Sequence, residues 1–133
     1  MATISYLEYS NRDFRYAEGN LSLGFYDPCG RFCQQTVEKR LKYFIEQNGS
    51  SEDQAILYIH NLIKLYDRVC EISGVGKDAS IRASLGKLTV YYFDANYPQK
   101  GGNIELSEEM AEEALEIART VNAWVDRLMK GAT

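Results

Sequence analysis

An all-α, up-and-down antiparallel bundle of four long helices and one short one is the fold class this sequence predicts. Three observations carry that expectation. Apolar residues recur at helical spacing through five segments, whereas no alternating run of useful length reads as a strand. The breaks between those segments hold glycine, asparagine or a capping residue, and the chain has only two prolines in 133 residues. Ten tyrosines and five phenylalanines supply large side chains for a helical core.

The first segment, about Ile4 to Leu23, places Ile4, Leu7, Phe14, Ala17 and Leu21 at helical spacing, with Asn11 interrupting the stripe. Gly24-Phe25-Tyr26 breaks it, and Asp27-Pro28 restarts it as a capping residue followed by a first-turn proline. The second helix, Pro28 to Gln47, turns Cys29, Phe32, Cys33, Thr36, Val37, Leu41, Phe44 and Ile45 to one broad face, and Asn48-Gly49 ends it. Ser51-Glu52-Asp53-Gln54 has capping-box spacing and predicts a third helix running to about Ile72. That helix would carry two stripes, Ile56, Ile59, Ile63, Tyr66 and Cys70 beside Tyr58, Leu62, Leu65, Val69 and Ile72. Ser73-Gly74-Val75-Gly76 interrupts again. A shorter helix from Asp78 to Phe93 follows, then a loop from Asp94 to Leu106. Ser107 caps the last helix, with Met110, Ala114, Ile117, Ala118, Val121, Trp124, Val125 and Leu128 inward. A single domain over residues 1–133 accommodates all of this.

Charge narrows the function classes. Fifteen basic residues against 19 acidic ones give a net charge of −4, the wrong sign for a general nucleic-acid binder, and no DNA partner is expected. The surplus lies in residues 101–133, where six acids fall between Glu105 and Glu116 and Arg119, Arg127 and Lys130 follow. Acids first and bases last is the order a helix dipole favours. No apolar run approaches the ~20 residues of a membrane span, and Met1-Ala2-Thr3-Ile4 lacks the plan of a signal peptide. Three cysteines, an odd number, fit a reducing cytoplasm.

Several motifs fail on spacing. Gly76-Lys77 has Glu71 where a P-loop needs its first glycine, and Asp78 where it needs a hydroxyl. Gly86-Lys87 has Ile81 and Leu88 in those positions. His60 and Cys70 diverge by roughly 80° around a helix, so no metal set forms by spacing, and no cofactor is implied. No catalytic residue is identified: a cysteine nucleophile needs a histidine and an orienting group, and the cysteines lie in apolar stripes.

Three stretches combine into a recognisable order: Gln34-Gln35-Thr36-Val37-Glu38-Lys39-Arg40-Leu41-Lys42, His60-Asn61-Leu62-Ile63-Lys64-Leu65, and Tyr92-Phe93-Asp94-Ala95-Asn96-Tyr97-Pro98. Tyr16-Ala17 and Gly24-Phe25-Tyr26-Asp27 suit the same pattern. Together they resemble the HEPN family, whose pattern runs Gln-x-x-Glu-Lys-x-x-Lys, His-x-Leu-x-x-Leu, Tyr…Arg-Tyr-Pro and an acid-rich start to the last helix. The resemblance implies a five-helix bundle, a homodimer, and a nucleotide-linked or RNA-linked role. It also implies pairing with a minimal nucleotidyltransferase, as in toxin–antitoxin systems. The chain departs from the RNA-cleaving branch, which places Arg four to six residues before His: the eligible positions hold Asp53, Gln54 and Ala55. Asn96 also replaces the arginine of Arg-Tyr-Pro.

Gln35, Glu38, Lys39 and Lys42, spaced 0, 3, 4 and 7, form one row on the second helix. One reading is a solvated face; the other makes Lys39 and Lys42 phosphate anchors with Gln35 reading a base or ribose edge. His60, Tyr92, Asn96 and Tyr97 join them as candidate nucleotide contacts, and Tyr91, Tyr92 and Tyr97 are candidates for base stacking. On the helical reading His60 lies beside the third helix's stripe, as a core or interface histidine with no visible partner for general-base work. The leading expectation is therefore a non-catalytic cytoplasmic module that dimerises and binds a nucleotide or a nucleotidyltransferase. The alternatives are an unconventional RNase toxin of the same fold and a purely structural helical dimer. Self-association is expected from the double stripe of the third helix, too wide for one side of a small bundle.

Overall fold

The computed structural model describes residues 4–96 and 105–131, with the backbone alone over 93–96. Five helices build it: α1 (Tyr6–Ser22), α2 (Tyr26–Asn48), α3 (Leu62–Ser73), α4 (Ala79–Asn96) and α5 (Glu108–Lys130). No strand occurs among the described residues, so the all-α bundle stands as expected.

Local chemistry fixes the helix ends. Ser5 and Glu8 form a reciprocal capping box at the start of α1, and Ser107 accepts from Met110 N at the start of α5. Asp78 caps α4 by accepting from Ser80 N and Ile81 N, and Gly74, at φ +81°, supplies the left-handed residue that closes α3. Asp27 does not cap α2. The helix already starts at Tyr26, behind Phe25, and Asp27 Oδ1 instead accepts from Leu106 N at 2.8 Å, tying the approach to α5 onto the base of α2.

The third helix is the main correction. Residues 51–72 are not one helix: two 3₁₀ turns, Ser51–Asp53 and Ala55–Tyr58, come first, and α3 begins only at Leu62. Ser50, rather than Ser51, is the cap of the first turn, with Asp53 as its reciprocal partner. Asp53 also accepts Arg68 Nε at 2.6 Å and Nη2 at 3.1 Å. This bidentate bridge pins the 3₁₀ segment beside α3 rather than in line with it. Asn61 then caps α3 by accepting from Lys64 N at 3.0 Å. As a result Ile56, Tyr58 and Ile59 leave the helix, and the double stripe is not the surface of a single rod. The short helix is α3, with 12 residues, while α4 has 18.

The 3₁₀ segment makes a return pass of its own, from the end of α2 back to the level of Glu38, where His60 lies. Consequently α2 and α5 run in the same direction: Cys29 meets Ala111, Thr36 meets Asn122 and Arg40 meets Asp126. Helix α1 runs against both.

Helix α2 is the hub. Its Cys29, Cys33, Val37, Leu41 and Ile45 are buried against Leu62, Leu65, Tyr66 and Val69 of α3, Leu85 and Leu88 of α4, and the small Ala111, Ala114 and Ala118 of α5. Between α1, α2 and α5 the core turns polar. Ser10 Oγ donates to Thr36 O at 2.8 Å, Thr36 Oγ1 returns a bond to Ser10 O at 2.7 Å, and Asn122 Nδ2 donates to Thr36 Oγ1 at 3.0 Å. Small hydroxyl residues let the two backbones approach while leaving few buried groups unsatisfied.

Candidate functional site

The row on α2 faces inward and sideways, not into solvent. Glu38 and Lys42 are both buried, at 4% exposure each, which overturns the solvated-face reading. Glu38 is the centre: Gln34 Nε2 donates to its Oε1 at 3.1 Å, while Lys42 Nζ and His60 Nδ1 both lie 3.0 Å from its Oε2. Burial by itself would raise the Glu38 pKa, but the bonds from His60, Lys42 and Gln34 prevail and hold it below the ordinary glutamate value. The carboxylate is therefore ionised at neutral pH, and an ionised carboxylate only accepts. It follows that His60 donates its Nδ1–H and presents Nε2 outward.

His60 lies in the short extended stretch between the 3₁₀ turns and α3, and its side chain is 76% exposed. It is neither a core histidine nor a member of the α3 stripe. The partner that its sequence position did not reveal is Glu38, 22 residues earlier.

The same network continues toward α1. Gln35 Nε2 donates to Gln34 Oε1 at 2.8 Å, and Lys39 Nζ donates to Gln35 Oε1 at 3.1 Å and to Asp13 Oδ2 at 2.6 Å. Arg12 approaches the other Asp13 oxygen at 3.3 Å. Both cations also face Tyr9, Arg12 at 4.5 Å and Lys39 at 5.8 Å from the ring centre. Sequence reasoning missed Arg12, Asp13, Tyr9 and Gln34. The available signal was Asp13 itself: it sits four residues before the inward Ala17, where an acid needs a partner.

Five of the predicted residues, Gln35, Glu38, Lys39, Lys42 and His60, are thus joined by hydrogen bonds into one network. Tyr92 is half-buried on α4, beside Tyr91, whose hydroxyl donates to Glu113 at 3.3 Å. Asn96 ends α4 without a described side chain, and Tyr97 lies outside the described residues. Among the described residues no group of three or more His, Cys, Asp or Glu could hold a metal ion, and no helix is long and apolar enough to cross a membrane.

A family model described as the HEPN domain matches residues 5–128. The chain belongs to the HEPN family. Among solved structures, the protein TT1696 from Thermus thermophilus is similar at a TM-score of 0.79 and 25% identity, covering 92% of this chain and 94% of that one. ST0689, an archaeal HEPN homologue, is similar at 0.68 and 21%, covering 91% and 92%; at that identity the likeness concerns the fold. No curated protein sequence matches the chain. The HEPN assignment agrees with the order of motifs, and the Glu38 network joins two of them, on α2 and just before α3.

Proposed function

We propose that this HEPN domain is a nucleotide-linked module of the cytoplasm that binds a nucleotide or docks a minimal nucleotidyltransferase, as in a toxin–antitoxin pair, and does so as a homodimer without cleaving RNA. The observation that supports it best is the network from His60 to Arg12. A buried, ionised Glu38 fixes an exposed histidine at one end. At the other end, two cations share the single Asp13 carboxylate around Tyr9. Preorganised donors beside an aromatic ring and a surplus cation suit a base and its phosphate. Lys39, with its side chain 21% exposed, is the phosphate anchor in this reading, while Lys42 stays inside and holds Glu38. Tyr58, 82% exposed, and Leu23, 71% exposed, are apolar surface available to a second copy.

A thermal-shift panel with ATP, GTP and their monophosphates tests the reading, because a ligand at 100 times its Kd adds ~2.7 kcal/mol of stability. Lys39→Ala and His60→Ala should each weaken the shift. If no nucleotide at millimolar concentration moves the melting temperature, the nucleotide half is wrong. Sedimentation equilibrium should return about twice 15.2 kDa; a monomer would remove the dimer.

One geometric fact favours the RNase activity as a second reading: the Glu38–His60 pair orients Nε2 as a general base. Against it, Asp53 is tied to Arg68 and no arginine stands at 53–55 to complete the cleavage motif. Cleavage of single-stranded RNA that disappears in His60→Ala would decide for the nuclease.

A further inference from the structure

On the other flank of α1, away from His60, lies a cleft of about 390 Å³ between α1, α2 and α5. Asn11 and Arg15 of α1 line it, with Arg40 of α2 and Arg119, Asn122 and Asp126 of α5. Three arginines against one aspartate make a positive spot on a chain whose net charge is −4.

The three guanidinium groups are not equivalent. Arg40, 7% exposed, is fully committed: it donates to Ser10 Oγ at 3.0 Å, to Asp126 Oδ1 at 3.0 Å and to Asn11 Oδ1 at 2.7 Å. It forms a rigid wall and neutralises Asp126. Among the described residues Arg119 is held by the exposed Glu116, at 2.5 Å, with its guanidinium 5.7 Å from the Phe14 ring centre. Such an exposed pair exchanges readily for a better anion. Arg15 makes no hydrogen bond or ion pair among the described residues. Two cations without a buried counter-charge thus face one cleft, and fork-shaped guanidinium donors match phosphate oxygens.

A second observation is independent of charge. Asn122 lines the same cleft and is 5% exposed, yet its Oδ1 is buried with no partner among the described residues, while its Nδ2 is engaged by Thr36. That buried acceptor lies beneath the cleft wall and calls for a donor, which a ligand hydroxyl supplies once the amide turns toward the cleft.

We propose that this cleft binds a small phosphate ester carrying a neighbouring hydroxyl, with Arg15 and Arg119 gripping the phosphate and Asn122 accepting the hydroxyl. The site uses neither the Glu38 network nor His60, so it stands apart from the nucleotide reading above. Ribose 5-phosphate is the probe, titrated calorimetrically into the full chain, with inorganic phosphate as the comparison. Saturable binding is expected, tighter than for inorganic phosphate. Arg15→Ala and Arg119→Ala should each weaken it at least tenfold; both side chains are exposed, and unchanged circular dichroism will show that the variants fold. Lys39→Ala should leave it unaltered. Absence of binding at millimolar probe overturns the proposal. So does binding that survives both arginine variants, or binding lost in Lys39→Ala. Equal affinity for inorganic phosphate overturns the role of Asn122.

Discussion

Replacing Glu38 by Gln keeps the shape of the side chain and deletes its charge, and the structure says what should follow. Lys42, whose side chain is 5% exposed, has Glu38 as its hydrogen-bonding anion at 3.0 Å. Removing one member of a buried pair costs ~3–5 kcal/mol, because the other charge stays desolvated. The glutamine oxygen still accepts a hydrogen bond, so the lower end, ~3 kcal/mol, applies to Glu38→Gln. For a chain of this length that corresponds to a melting temperature lower by about 10 °C. The reverse deletion is not symmetrical. Lys42→Met leaves Glu38 with His60 and Gln34 still bonded to it, so its cost should be smaller, ~1.5–2 kcal/mol, the low end for a hydrogen bond to a charged group. The double variant removes both charges and should recover to within ~1 kcal/mol of the parent, since apolar replacement of a buried pair is often neutral. Urea unfolding of all four proteins measures the cycle. A loss below ~1 kcal/mol for Glu38→Gln, or equal losses for the two single variants, would refute the reasoning.

Other outcomes follow from the same contacts. Leu62→Ala, at a fully buried position, should lower stability by ~2–5 kcal/mol in chemical denaturation. Gly49→Ala should be destabilising in the same assay, because a Cβ there would stand 2.7 Å from Ile45 O and 2.6 Å from Asp53 Oδ2. Acid titration followed by circular dichroism should show stability holding down to pH ~4.5 and falling below it, where carboxyls begin to protonate. The sign comes from Glu38 and Asp53, both held below their ordinary values: each contributes stability above its unfolded pKa and loses it as pH falls through the folded one. Arg68→Ala removes the main cause of the Asp53 shift and should flatten that decline.

The helices that were legible in the sequence are those whose stripe and caps agree. In α5, Ser107 and the inward Ala114, Ala118, Val121 and Val125 were all visible at the right spacing. Residues 51–61 misled because Ile56, Ile59 and Ile63 continue a helical period while the backbone follows local bonds instead. Ser50 with Asp53, Asp53 with Arg68, and Asn61 with Lys64 each stabilise a break. The site divided the same way. Spacing placed Gln35, Glu38, Lys39 and Lys42 on one face, yet it could not say whether that face was wet or dry. That depended on Asp13 of α1 and His60 from the return pass, both long-range neighbours. A lysine row reads as solvent-facing until the acid that lets it be buried is found on another element.

All three cysteines are free thiols sealed inside the bundle, Cys29 and Cys33 at 0% and Cys70 at 2% exposure. Nature has in effect installed probes at two depths. Cys29 and Cys33 lie in the core on α2, with Cys29 Sγ against Ala111 O of α5, whereas Cys70 sits near the end of α3, its sulfur 4.0 Å from Gly76 O. An alkylating reagent can reach any of them only when the structure opens, so its rate reads the opening equilibrium. Cys70 should react whenever the α3–α4 turn unlatches. The other two should wait until the bundle itself comes apart, and the ratio of the two rates measures how cooperatively this HEPN domain is held together.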